Sequence, residues 1–209
     1  VRRGRDGDGE ASLEANLLDG ATPVLQRLRA LLREDGGLIA SLVRGSNGAD
    51  GTPDGTHGST PDGARGEGPA QLAANGPRVA ERAGEYELLV EAIYEGYLLH
   101  YGAPRVVRAA EADLRVLAGD RLYAIGLARL VELGDTVAVA ELADTITLSA
   151  LAQGAGDGPL ADAVWTAGAR AVGWGASEQH RRAKELVADR SPAAIEAMRT
   201  SGLQESGTP

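Results

Sequence analysis

Residues Asp113 to Gly154 read DLRVLAGDRLYAIGLARLVELGDTVAVAELADTITLSALAQG, and this stretch decides the fold class. A helix begins around Asp113, carries Leu114, Leu117, Leu122, Ile125 and Leu130, and stops at Gly134. Apolar residues at helical spacing followed by glycine mark a helix and its end. Asp135 then caps a further helix through Val137, Ala140, Ile146 and Leu151, ending near Gly154. This helix is apolar almost all round, so it is expected to lie centrally. Gly119 and Gly126 share one face of the preceding helix. Each costs up to about 1 kcal/mol relative to alanine, a cost that close contact with a neighbouring helix would offset. Asp120 is read as structural. Thr145, Thr147 and Ser149 can donate back to carbonyls one turn earlier, which leaves Asp144 needing a partner from elsewhere and makes it a secondary site candidate.

Working outward, Pro77 to about Leu99 shows a long helical pattern with Tyr86, Val90, Ile93 and Tyr97 on one face. Shorter helices are expected at about Leu160 to Val172, at Ser177 to about Ala188, and from the Ser191-Pro192 start. Upstream, Thr22-Pro23 opens a helix with Leu25, Leu28, Leu31 and Leu32 on one face. Gly36-Gly37 interrupts it before a short segment from Leu38 to Val43. Residues 45–68 lack Leu, Ile, Val and aromatic side chains and contain Thr-Pro-Asp-Gly twice, which reads as a Gly/Pro/Asp-rich linker. The expected organisation is a flexible tail over 1–21, N-terminal helices over 22–44, the linker over 45–68 and a helical domain over 69–205. No stretch alternates with period two long enough for a sheet, so the class is all-α, a helical bundle.

The chain has 21 basic and 30 acidic residues and a net charge of −9, which argues against nucleic acid or an anionic membrane as the main partner. The absence of cysteine removes disulfides and thiolate metal sites and suits a reducing cytoplasm. Lys184 is the only lysine, which confines lysine chemistry to that position. There is no apolar run of 18 residues and the N-terminus lacks a signal-peptide core. The expectation is a cytoplasmic protein that does not span a membrane.

Glu87, Glu91 and Glu95 recur every fourth residue and form an acidic stripe. Repulsion at this spacing costs only about 0.2–0.5 kcal/mol per pair. The stripe therefore reads first as solvent-exposed, with a Mg²⁺ site, or salt bridges to Arg105, Arg108 or other helices, as alternatives. His100 precedes Tyr101 and Gly102-Ala103-Pro104, where the helix must end. A helix C-terminus favours an imidazolium, which accounts for a histidine there. Trp165 and Trp174 read as packing residues, and the basic run from His180 to Lys184 as a patch too short for nucleic acid.

The order of these elements resembles the middle of trans-polyprenyl diphosphate synthases. An acidic helix runs into Gly102-Ala103-Pro104; Leu117-Ala118-Gly119-Asp120-Arg121-Leu122-Tyr123-Ala124 and Glu132-Leu133-Gly134-Asp135 follow. The likeness extends to the non-catalytic component of two-subunit heptaprenyl diphosphate synthases. It implies a truncated bundle of isoprenoid-synthase type, in which Glu91 and Glu95 occupy the outer positions of an aspartate-rich metal motif. Ala92 replaces its middle acid, and His100 and Tyr101 replace its two arginines. No Gly-Lys-x-x-Arg segment and no Asp-Asp dipeptide are present, although ionising an allylic diphosphate needs several metal and cationic contacts.

The resemblance implies a non-catalytic accessory subunit in isoprenoid or quinone side-chain biosynthesis, partnered by a catalytic polyprenyl synthase subunit or by copies of itself. No residue is expected to be catalytic in the chain alone. In the alternative of a residual prenyltransferase, Mg²⁺ is the cofactor, Glu91 and Glu95 hold it, and His100, Arg105 and Tyr97 bind substrate. A helical interaction module with no isoprenoid connection is the remaining reading.

Overall fold

The computed structural model describes residues 23–43 and 68–203. The expected tail and linker lie outside the described residues. Within them all regular elements are helical: α1 (Pro23–Asp35), α2 (Gly37–Leu42), α3 (Pro69–Ala74), a 3₁₀ turn (Pro77–Arg82), α4 (Ala83–Tyr101), α5 (Ala112–Glu132), α6 (Thr136–Gly154), α7 (Gly158–Trp174), α8 (Glu178–Ala188) and α9 (Ala194–Leu203). The only extended pairing among them is an isolated antiparallel bridge between Val43 and Val107.

The junctions on either side of α6 follow one recipe. Gly134 and Gly156 take positive φ, 78° and 74°, and the residue after each donates its N–H back into the finished helix, Asp135 to Leu130 O and Asp157 to Ala152 O. Glycine adopts this left-handed conformation without a Cβ clash. The same aspartates then cap the next helices: Asp135 accepts from Ala138 N and Asp157 from Leu160 N, each at 3.0 Å. Two residues thus stop one helix and start another, folding α5, α6 and α7 back on each other.

Two helices form the centre. α4 packs most extensively on α5 and also touches α1, α3 and the 3₁₀ turn, while α7 touches α3, α6, α9 and the 3₁₀ turn. Glycines set how closely they approach. A Cβ on Gly126 would come 2.4 Å from Ile93 Cγ1, and one on Gly119 2.5 Å from His100 Nε2, so the expected offset of glycine cost by helix contact is realised on α4. Rings join the two hubs: Trp165 of α7 lies 4.9 Å from Tyr94 and 5.2 Å from Tyr97 of α4 between centroids. A second apolar cluster fixes α1 and α2 through Leu25, Leu28, Leu32 and Ile39 against Ala92, Leu99, Val106 and Leu122.

Three expectations need correction. α6 is not central: Val137, Ala140, Asp144 and Thr147 face solvent, and Val137 is 60% exposed, because α6 packs chiefly on α7 and leaves its opposite side uncovered. The pattern from Pro77 is not one α-helix. Its first six residues wind as 3₁₀, where Arg78 donates to Val172 O at 2.8 Å and to Asp135 Oδ1 at 2.5 Å. Helix α3 sits inside the helical domain without having been anticipated as an element.

Candidate functional site

Helix α4 stops at Gly102, whose N–H still reaches Leu98 O at 2.9 Å, and Pro104 prevents continuation. The chain reverses along the last turns of α4. That reversal carries the backbone N–H groups of Arg105, Val106 and Val107 onto a single oxygen, Glu95 Oε1, at 2.8, 2.6 and 3.2 Å. The Arg105 guanidinium bonds Glu91 Oε1, lies 3.4 Å from Glu95 Oε2 through Nε, and sits 5.3 Å from the Tyr94 ring centroid. Glu95 is fully buried and Glu91 4% exposed.

The solvent-exposed stripe is therefore corrected at two of its three members. Glu87 stays partly open, 3.7 Å from Arg27, whereas Glu91 and Glu95 are covered because the 102–108 loop folds over them. Burial pushes the Glu91 carboxyl above its usual value of 4.5, with Arg105 pulling in the opposite direction. The carboxylates on which the Mg²⁺ expectation rests face a guanidinium and three amides. Among the described residues no group of three or more His, Asp or Glu side chains is arranged to hold a metal ion.

Tyr97 and His100, the other substrate-binding candidates, both pack. Tyr97 is 4% exposed, stacks on Tyr94 at 5.8 Å, and its hydroxyl accepts from Gln153 Nε2 at 2.6 Å. His100 stacks on Tyr123 at 5.3 Å with an interplanar angle of 11°, and its Nε2 lies 3.2 Å from Asp120 Oδ1. Asp120 is exposed, and its neighbour is this histidine. Arg105 alone among the metal- and substrate-binding candidates is both charged and partly open, at 38% side-chain exposure.

A second polar centre, of whose residues only Asp144 was a candidate from sequence, joins α6, α8 and α9. Glu141 is 5% and His180 3% exposed. Glu141 Oε1 lies 2.6 Å from His180 Nε2, Oε2 accepts from Lys184 Nζ at 2.9 Å, and Lys184 also reaches Asp144 Oδ2 at 2.7 Å. The only lysine of the chain thus bridges both carboxylates, while Asp144, exposed on a helix that is not central, does not have the need of a partner that a buried helix would impose. Burial pushes the Glu141 carboxyl up, but hydrogen bonds from His180 and Lys184 outweigh it and hold the group below 4.5. His180 Nδ1 lies 3.4 Å from Ser201 Oγ. The Glu–His–Ser order does not make a nucleophile, because Ser201 is buried and commits its proton to Met198 O at 2.9 Å. The signal that could have found this centre is the spacing of His180, Ala183 and Val187, which puts the imidazole on the buried face of α8.

A third centre is Asp135. Besides capping α6, it accepts from Tyr86 Oη at 2.6 Å and from Arg78. Burial pushes the Tyr86 hydroxyl up to about 12, and the Asp135 hydrogen bond acts in the same direction. Each of the three centres ties one helix to a distant loop or helix by satisfying buried charge. Compared with family models, curated proteins and solved structures, the chain matches none of them.

Proposed function

We propose that this chain is a non-catalytic, all-helical accessory subunit of isoprenoid-synthase type, working beside a catalytic polyprenyl synthase in isoprenoid or quinone side-chain biosynthesis. One observation carries the reading. At the positions where the resemblance places a diphosphate-binding metal motif, Glu91 and Glu95 instead hold Arg105 and the amides of residues 105–107. An oxygen that accepts three N–H groups gives up its lone pairs to the fold, and a metal ion at Glu95 Oε1 would have to displace them at the cost of the loop. Tyr97 and Trp165 fill the space between α4 and α7 that a growing chain would need. The assembly surface then lies on outer positions such as Leu117, Val131 and Val137, which are 57%, 56% and 60% exposed.

The test is turnover of farnesyl diphosphate and isopentenyl diphosphate with Mg²⁺, by the chain alone and together with a catalytic polyprenyl synthase, with stable complex formation measured in parallel. The expected result is no turnover alone and altered product length or rate in the complex. Turnover by the chain alone that Glu91→Gln abolishes would establish the residual prenyltransferase instead. No turnover together with no complex would leave an interaction module of unrelated purpose.

A further inference from the structure

The aromatic side chains of this protein are two tryptophans and five tyrosines, with no phenylalanine, and all of them lie within the described residues. There is no cysteine, and the single methionine, Met198, is 1% exposed. With sulfur absent or covered, a one-electron oxidation settles on indole and phenol rings. Three of these rings make a continuous run from α7 to the end of α4. Trp165 lies 5.2 Å from Tyr97, and Tyr97 lies 5.4 Å from Tyr101, between centroids. The run begins at a ring that is 2% exposed and ends at one that is 45% exposed.

The chemistry differs along it. Trp165 Nε1 is buried and has no hydrogen-bond partner among the described residues, so an indole that loses an electron there cannot hand its proton to a neighbouring side chain and stays a strong oxidant. The Tyr97 hydroxyl accepts from Gln153 Nε2 at 2.6 Å. Burial raises it above its usual value of 10.0, so it keeps its proton and serves as a bridge. Tyr101 is open to water and can release its phenolic proton there. Cations disfavour the side branches. The Arg105 guanidinium sits 5.3 Å from the Tyr94 centroid and that of Arg170 4.6 Å from the Trp174 ring, and positive charge beside a ring makes an electron harder to remove.

We propose that Trp165, Tyr97 and Tyr101 form an electron-transfer path from the core of the bundle to its surface. A one-electron oxidant of the radical or high-valent metal-complex class takes an electron from Trp165. Tyr101 returns one to the indole through Tyr97 and gives its proton to water. The oxidant is thereby reduced by one electron, Trp165 is restored, and the Tyr101 phenol becomes a phenoxyl radical that a soluble reductant can reach. This inference stands apart from the accessory-subunit reading and does not depend on it.

The test uses the full chain carrying Trp174→Phe, which leaves Trp165 as the only tryptophan. An intense near-ultraviolet flash, absorbed by indole and not by phenol, ejects an electron that pentaamminechlorocobalt(III) in solution consumes, and the indole and phenoxyl radicals are followed by their separate absorptions. The expected result is a phenoxyl signal that rises as the indole radical decays. Its absence overturns the proposal. Tyr101→Phe removes only a hydroxyl at a half-open position and should lengthen the indole radical lifetime at least tenfold; an unchanged lifetime overturns the proposal. Tyr94→Phe should leave the lifetime as it is, and a lengthening equal to that of Tyr101→Phe would move the electron donor to Tyr94 and overturn the path. Tyr97→Leu, in a chain whose circular dichroism is unaltered, should also lengthen the lifetime at least tenfold, and an unchanged value removes Tyr97 as the bridge.

Discussion

Glu95 concentrates more of the local structure than any other side chain on α4. Its carboxylate accepts the amides of three consecutive residues and faces Arg105. A neutral isostere keeps one acceptor oxygen but turns an N–H₂ toward the partly open Arg105 guanidinium, and the three buried amide bonds lose their charged acceptor. Hydrogen bonds to a charged group contribute about 1.5–3 kcal/mol each, so Glu95→Gln should lower unfolding free energy by about 2–3 kcal/mol, read from chemical denaturation. Glu91→Gln should cost less, because burial already opposes the charged form of Glu91 and an amide oxygen can still accept from Arg105. If the two variants proved equally stable, the 102–108 loop would not be held by Glu95 as described. This lock was hidden in the sequence for a simple reason. The partner of Glu91 and Glu95 lies beyond the proline turn, where periodicity along a single helix carries no information.

At the scale of elements, the parts legible from sequence were those encoded within a few residues. The Gly134-Asp135 stop and start, the glycine face of α5 and the hydroxyls of α6 all behave as their local chemistry requires; Thr145, Thr147 and Ser149 donate to Glu141 O, Ala143 O and Ile146 O. What escaped was set by tertiary contact. α3 is only six residues long, too short for a periodic signal. It is fixed by the approach of Gly76 to Gly173, where a Cβ on Gly76 would stand 2.1 Å from the Gly173 carbonyl oxygen. Both sides of that contact are backbone, so Gly76→Ala should destabilise by about 3 kcal/mol, at the upper end of overpacking costs. An unchanged thermal midpoint would mean that the α3–α7 contact is looser than the structure has it.

The α6–α8 tie predicts a pH response with a definite sign. Glu141 and Asp135 are held below their usual values of 4.5 and 3.8, so each contributes stability that is present above those values and lost as pH falls through the folded value. Lys184 is raised above 10.5, so its contribution is present below that pH and fades as pH rises through the raised value. Glu91, raised above 4.5, opposes the acid trend, because its contribution is present below 4.5 and lost as pH rises through its folded value. Asp162, held above 3.8 by burial, opposes the acid trend as well, so the Glu141 contribution is read by difference between two chains. Below about pH 4.5 the Glu141→Gln chain should lose less of its thermal midpoint than the parent, while starting from a lower midpoint at neutral pH. Identical slopes for the parent and Glu141→Gln chains would remove Glu141 from the explanation.

At the scale of the whole molecule, α1 and α2 rejoin the bundle across residues 44–67, and the strength of that attachment can be weighed. Leu25, Leu28, Leu31, Leu32 and Ile39 are buried against α4, α5 and the 102–108 loop. At about 1.5–3 kcal/mol for each fully buried side chain, the gross apolar gain is on the order of 10 kcal/mol. Specific polar ties add direction: Arg27 donates to Gly84 O at 2.8 Å, Arg108 N donates to Leu42 O at 2.8 Å, and Arg121 holds Asp35 with both Nε and Nη2. Association of separate pieces costs about 4 kcal/mol at the low end before any net affinity appears; set against the apolar gain and the polar ties, that cost leaves about 7 kcal/mol, micromolar rather than nanomolar strength. A protease site placed between Gly45 and Gly63 and cleaved in the folded chain should therefore leave both fragments co-eluting in size exclusion at about 10 µM, a concentration that corresponds to a binding free energy near −7 kcal/mol. Leu28→Ser in the cleaved chain should release the N-terminal fragment, since a buried hydroxyl without a partner replaces a buried isobutyl group at a site with no exposure. Immediate separation of the parent fragments would show instead that residues 44–67 hold α1 and α2 in place by covalent tethering, and that the apolar cluster around Leu28 and Leu32 contributes too little to unite the two halves by itself.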